Sequence, residues 1–240
     1  MTAPSIGKNS PAPTANIMRP VIITIYSDVS PEIMHPIAIT VIPVQVVILS
    51  PILPAIEPEI NDLINFLKKI GCKIKRNGKR GIDILGAKEF KSAIHKVIFD
   101  RIETGTYIIA AALTKGKLKI KNINPKIMLT EIRLLNKMGV DIIKKKNYIV
   151  VSRSKKLKSV NVVTKPYPGF PTDLQAQIMV LMTKADGIST IREGIFENRF
   201  MHVSELRRMG AQIVTNGNKA KIFGKTKLNG AEIMATDLRA

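Results

Sequence analysis

One carboxylate stands out by its setting. The run "PYPGFPTDLQAQ", Pro166 to Gln177, places Asp173 where a proline-rich loop turns into a helix, in a chain with 38 Lys+Arg, 18 Asp+Glu and a net charge of +20. Pro171 fixes its own φ and biases the residue before it toward extended structure. Thr172 is then the expected N-cap, and Gln175 three residues later completes a capping box. Asp173 is not needed as a cap. In the first helical turn it either complements the macrodipole or acts as a base toward a bound substrate. The run "IFENRFMHVSELRRMG" brings Arg199 to the start of the next helix, beside Phe196, Glu197 and Asn198. Near the end of the chain "ATDLRA" carries Arg239 on a stretch that restates the Asp173 helix. Arg forks take phosphate and carboxylate groups in bidentate fashion. A carboxylate and two Arg at corresponding helix starts suit an anionic substrate that gives up a proton; surface ion pairing is the other reading.

The elements that must position these groups repeat along the chain. Stretches beginning at Glu57, Asn124 and Asn198 each read as an amphipathic helix with apolar residues at helical spacing, such as Leu134, Leu135 and Met138. Each helix ends at a glycine, Gly71, Gly139 or Gly210, where a left-handed residue is needed, and the interval is about 70 residues. Two strand-like runs follow around a polar turn, as at Lys73–Lys75 and Gly81–Leu85. The stretches 103–123 and 171–191 echo one another as helix, glycine turn (Gly116, Gly187) and strand. The unit is therefore βαβαββ, an α/β fold whose copies bury their sheet and helix faces on neighbours. Met234–Ala240 restates the start of the Asp173 helix and stops, which leads us to expect a truncated second domain. Residues 1–56 are rich in Pro and lack the period, and we expect an irregular or decayed segment there.

Composition narrows the classes. The single Cys, Cys72 in "KKIGCKI", excludes an intrachain disulfide and a Cys-cluster metal site, and reads as a small core residue in a reducing cytoplasm. His35, His95 and His202 lack metal-ligand spacing, so no metal is expected. The opening residues contain too much Pro and no apolar core for a signal peptide. Pro36–Ile56 is uncharged over a membrane-spanning length. Pro36, Pro43, Pro51 and Pro54 interrupt it, so no membrane anchor is expected. The basic excess is compatible with a solvated Ile/Lys-rich surface or with polyanion binding. No aromatic-interleaved patch appears, and no specific nucleic acid partner is expected.

The strings "YPGFPTDLQAQ", "IFENRFMHVSELRRMGA" and "AEIMATDLRA", with "EPEI" and "DRIETGT", resemble the UDP-N-acetylglucosamine 1-carboxyvinyltransferases, the enolpyruvyl transferases that open peptidoglycan synthesis. The resemblance runs from Glu57 to Ala240. It implies an incomplete inside-out α/β barrel of βαβαββ repeats, with helices inside and sheets outside. Residues 57–98 would be the last repeat portion of a first domain, and 99–240 a partial second domain. The resemblance makes Asp173 the general base that takes the proton of the sugar 3-hydroxyl as it attacks phosphoenolpyruvate. Arg199 and Arg239 match residues that hold the anionic groups of phosphoenolpyruvate and of the tetrahedral intermediate. Ile195, Phe196 and Asn198 match the segment that contacts the nucleotide sugar, and Arg101 matches a substrate-binding cleft position. It implies no cofactor, the substrates UDP-N-acetylglucosamine and phosphoenolpyruvate, and a cytoplasmic monomer.

There are departures from the family pattern. The family's Lys-Asn pair has no aligned counterpart near the N-terminus, and the mobile loop with the catalytic Cys is absent; Cys72 is not that residue. "REGIF", Arg192–Phe196, stands where Thr-Glu-Thr is more usual before the phenylalanine position. With those groups missing, the chain is expected not to turn over alone. The alternative from another class is a basic, non-enzymatic binding module for polyanions.

Overall fold

The structure is a computed structural model, and it describes residues 46–47, 57–77, 81–87, 89–152 and 156–235. All of these belong to the unit Val41–Ala240. The apolar stretch Pro36–Ile56, apart from Val46–Val47, lies outside the described residues, as does Arg239. Among the described residues no helix is long and apolar enough to cross a membrane.

The repeat takes physical form as one strand order used three times. In the last unit, β7 (Asn161–Val163) pairs in parallel with β8 (Ile188–Arg192) across the crossover helix α4 (Gln175–Met182). Next comes α5 (His202–Arg208), followed by the hairpin β9 (Gln212–Asn216) and β10 (Lys219–Phe223), with β10 inserted between β8 and β9. The preceding unit has α2 (Arg101–Leu113), β4 (Leu118–Lys121), α3 (Leu129–Lys137), β5 (Asp141–Lys144) and β6 (Tyr148–Ser152), in sheet order β4-β6-β5. The first described unit has α1 (Pro58–Lys69), β2 (Lys73–Asn77) and β3 (Gly81–Leu85), with β1 (Val46–Val47) paired to β3. Thus β1, β4 and β8 hold the same sheet position. Gly71, Gly139 and Gly210 all adopt positive φ at the helix ends, as the repeat predicts.

One sequence expectation, a full βαβαββ unit around α2, is corrected here. The described residues between β3 and α2 form neither helix nor strand, so no counterpart of β7 precedes α2. Asp62 holds that segment instead, meeting His95 Nε2 at 3.1 Å on one oxygen and accepting from Ile98 N–H at 3.4 Å on the other. At the end of α2 the left-handed residue is Lys115 (φ 56°), just before Gly116 of the expected turn.

Helix character follows from sequence. α1 and α3 are amphipathic, while α4, "QAQIMVLM", is apolar nearly all round and is buried accordingly. α2 packs on β4 and β6, α4 on β8 and β10, and the two helices pack on each other. Their side chains form one core with Ile149, Val151, Ile191 and Ile222. Ile64, Ile74 and Ile82 make a second, smaller core, with Cys72 packed against it. α2 meets the turn that leads into α4 tightly at Gly105: a Cβ there would lie 2.5 Å from Leu174 Cδ1. Leu174 is fully buried and has little room to yield.

Asp186, in the turn after α4, ties the two sheet systems together. Its N–H donates to Leu157 O and its carbonyl accepts from Ser159 N–H. Hydrogen bonds from Lys156 and Lys225, one to each carboxylate oxygen at 2.9 Å, lower its pKa to about 2 from the ordinary 3.8.

Two tests follow from this packing. Gly105→Ala gains about 1 kcal/mol of helix propensity, but overpacking of this kind costs about 1–3 kcal/mol. A net loss of up to about 2 kcal/mol in urea unfolding is expected, and a gain would show that Leu174 gives way. Because folding depresses the Asp186 pKa, its ionised form favours the folded state. The stability advantage of wild type over Asp186→Asn should be full above pH 3.8 and shrink as pH falls toward 2. A pH-independent difference would contradict this.

Candidate active site

Asp173 lies in a short 3-10 turn, Thr172–Leu174, that leads into α4. The expected capping box is not formed. The N-cap position falls on Pro171, which has no side-chain cap bond, and α4 begins only at Gln175, whose buried amide has no hydrogen-bond partner. The Thr172 hydroxyl is used elsewhere: it donates to Glu193 Oε2 at 2.9 Å. A buried acceptor has displaced the local cap, and a 3-10 turn closes the helix start.

Glu193 is the residue that the sequence reading passed over. It is almost fully buried (2% exposed) and lies at the end of β8, where "REGIF" leaves the sheet. Its Oε1 accepts from Thr164 Oγ1 (2.6 Å), Ile195 N–H (2.9 Å) and Phe196 N–H (3.3 Å). Gly194 N–H donates to Thr164 Oγ1 at 2.8 Å. A Cβ on Gly194 would lie 2.6 Å from Thr164 O, so this chain's glycine lets the loop close in where a side chain would block it. One carboxylate therefore fixes both the loop that carries Thr172–Asp173 and the loop that carries Ile195–Phe196. The signal in the sequence was an acidic residue inside an otherwise alternating strand.

Beyond Phe196 the chain turns through Asn198 in a left-handed conformation (φ 55°), which Asn tolerates. This turn delivers Arg199 to Asp173. Arg199 Nη2 donates to Asp173 Oδ1 at 2.9 Å, and the guanidinium carbon stands 5.2 Å from the centre of the half-exposed Phe196 ring. Asp173 is 39% exposed, and its Oδ2 has no hydrogen-bond partner among the described residues. Asp173, Phe196 and Arg199 are thus brought together, with Ile195 and Asn198 in the connecting loop.

Arg101 makes a separate cluster at the start of α2. Asp100 caps that helix, accepting from Ile102 N–H (2.7 Å) and Glu103 N–H (3.1 Å). Arg101 is 6% exposed, and it donates to Glu59 through Nε at 2.8 Å, to Glu57 through Nη2 at 2.8 Å and to Glu131 through Nη1 at 3.2 Å. Burial works against its charge, but the three carboxylates, Glu59 foremost, outweigh it and raise its pKa. Burial pushes the Glu131 carboxyl up. Glu57 Oε1 also accepts from Tyr167 N–H at 3.1 Å, and the Tyr167 ring lies 5.3 Å from the guanidinium carbon. Arg101 therefore grips the loop that leads to Asp173, with all three kinds of guanidinium nitrogen engaged by protein carboxylates.

The βαβαββ frame that carries the Asp173–Arg199 pair is that of a known family. The pattern of the EPSP synthase (3-phosphoshikimate 1-carboxyvinyltransferase) family matches residues 37–240. The chain belongs to this family. It is 60% identical over 186 residues to the UDP-N-acetylglucosamine 1-carboxyvinyltransferase of Pelagibacter ubique, a match covering 78% of this chain and 45% of that protein. It is 54% identical over 184 residues to the protein of the same name from Geotalea daltonii, covering 77% and 44%. The chain thus spans less than half the length of these relatives. Among solved structures, the enolpyruvyl transferase NikO from Streptomyces tendae superposes with a TM-score of 0.65 at 24% identity, over 73% of this chain and 42% of that one, which is a likeness of fold. Among the described residues no cluster of three His, Cys, Asp or Glu could hold a metal ion.

The Glu193 network gives a graded test. Glu193→Ala leaves two hydroxyls and two N–H groups without their acceptor and should cost about 3 kcal/mol. Glu193→Gln keeps an oxygen for Ile195 and Phe196 and should cost about 1 kcal/mol. Equal effects in chemical denaturation would show that the carboxylate does not organise these loops.

Proposed function

We propose that this chain carries the general-base wall of a UDP-N-acetylglucosamine 1-carboxyvinyltransferase. Such an enzyme moves the enolpyruvyl group of phosphoenolpyruvate to the sugar 3-hydroxyl, releasing phosphate, in peptidoglycan synthesis. The observation that carries the proposal is the Asp173–Arg199 pair, in a chain 60% identical to a protein of that name. Asp173 Oδ2 faces no protein donor among the described residues and accepts the 3-hydroxyl proton as that oxygen adds to phosphoenolpyruvate. Arg199, together with Arg239, holds the anionic groups of phosphoenolpyruvate and of the tetrahedral adduct. Ile195 and Phe196, fixed by Glu193, meet the nucleotide sugar, with Asn198 setting the turn between them and Arg199. Arg101 serves the site by holding the Tyr167 loop rather than by touching substrate.

In this reading residues 57–98 belong to a first domain and 99–240 to a second, and the protein works as a cytoplasmic monomer. The family's acid, a Cys, has no holder in the chain: Cys72 packs against the Ile64–Ile74–Ile82 core. The isolated chain should then show no phosphate release above an Asp173→Asn control.

The positive test is a chimera in which residues 57–240 replace the matching stretch of the Pelagibacter ubique relative. Phosphate release from phosphoenolpyruvate and UDP-N-acetylglucosamine is expected from the chimera. Asp173→Asn should lower it by at least about 100-fold, the scale of general base catalysis. A folded Asp173→Asn chimera that keeps its rate would remove Asp173 from the role.

A further inference from the structure

At the other end of α4 from Asp173, the turns that follow α2 and α4 enclose a cavity with the segments entering β7 and leaving β10. Its volume is about 390 Å³, within the range that holds small molecules. The stretch Asp173–Met182 separates it from Asp173 by about 14 Å of helical rise. Four of its lining side chains are lysines, Lys115, Lys156, Lys184 and Lys225, against one carboxylate, Asp186. The lining therefore carries three surplus positive charges.

Two of these lysines stand where a glycine would suit the backbone better. Lys115 and Lys225 have φ of 56° and 55°, a region L side chains disfavour. Glycine fills such positions after α1, α3 and α5, at Gly71, Gly139 and Gly210. Helix capping sets the left-handed backbone at Lys115, since Gly116 N–H takes Ala111 O and Lys115 N–H takes Ala112 O as in a Schellman end, but it does not call for a lysine side chain there. What lysine adds at both positions is an ammonium beside the cavity. Asp186 draws Lys156 and Lys225 to its two oxygens while leaving them 70% and 68% exposed, and Lys184 is anchored by Thr226 O at 2.9 Å. Lys156 and Lys225 are held together at Asp186 and open to solvent, Lys115 is exposed and Lys184 half-buried, and one carboxylate only partly offsets their charge.

We propose that this cavity is a second anion site, which takes a phosphate chain of two or more phosphoryl groups, free or as part of a nucleotide. Several separate ammonium groups, each a compact charge with three donors, match the spread of charge along such a chain better than a single carboxylate ligand would. This site is independent of the reading of Asp173.

The test titrates the full 240-residue chain with sodium tripolyphosphate and then with ADP by calorimetry at low salt. One site is expected, weakening as salt is raised. The Lys115→Gly/Lys225→Gly double variant should lose at least tenfold in affinity while unfolding near the wild-type temperature, since glycine suits both backbones. Arg199→Ala should bind as wild type does. Tighter binding of ADP than of tripolyphosphate would identify a nucleotide as the carrier, and equal or weaker binding a free phosphate chain. The proposal is overturned by no binding, by binding of ADP without tripolyphosphate, or by affinity that survives the double glycine variant. Loss in Arg199→Ala instead would place the anion at the Asp173 site and overturn it equally.

Discussion

The close contact of α2 with the turn into α4, Gly105 against Leu174, is the constraint on which the rest of the structure depends. α4 is buried on nearly every side and α2 on all but its Glu103–Tyr107–Ala110 face, each lying on its own sheet, so neither can shift without disturbing the core. Leu174 fills the space that the missing Cβ of Gly105 leaves. Leu174 also adjoins Asp173, so the packing that seats one seats the other. The N-terminal ends of α2 and α4 are fixed together, and the loops that reach them are tied down by side chains rather than by further secondary structure.

Those ties are carboxylates, in a chain that has few. Glu193 gathers Thr164, Thr172 and the amides of Ile195 and Phe196. Glu57 and Glu131 meet at Arg101, and Glu57 reaches on to Tyr167. Glu193 and Glu131 are buried and Glu57 half-buried, and each is bonded to donors, the only condition under which burying a charge is tolerable. Asp173 differs in kind. It gives one oxygen to Arg199 and leaves the other toward solvent, at 39% exposure. An exposed ion pair of this sort contributes at most about 1 kcal/mol to stability. Its geometry is better accounted for by chemistry at the site than by the fold, whereas the buried acids are accounted for by the fold.

The repeat and its glycine helix ends could be read from the sequence because they rest on local rules: helical period, left-handed φ, strand alternation. The Asp173–Arg199 pairing was also within reach, as two specific strings placed both residues at helix starts. What could not be read was decided by partners distant in the chain. Thr172 was expected to cap its own helix, but an acceptor 21 residues away competes for its hydroxyl and wins. The first strand of the unit has no counterpart among the described residues before α2, where Asp62, on α1, meets His95 and Ile98 instead. Arg101 looked like a cleft residue, yet three carboxylates from two other segments converge on it.

Charge is sorted along α4 in a way that follows from the helix itself. The N-terminal end, with its positive partial charge, receives Asp173, and the C-terminal end receives Lys184. That sorting is worth only about 0.3–1 kcal/mol per charge, enough for one residue at each end. It does not account for Lys156 and Lys225, which come from separate loops, nor for lysines kept in left-handed conformations. A fold that needed only to quiet a helix terminus would stop at one cation, and four around one carboxylate is an excess that a bound anion would balance. Local helix electrostatics thus accounts for the first charge at each end of α4, and the lysines beyond it are the ones assigned to the proposed anion site.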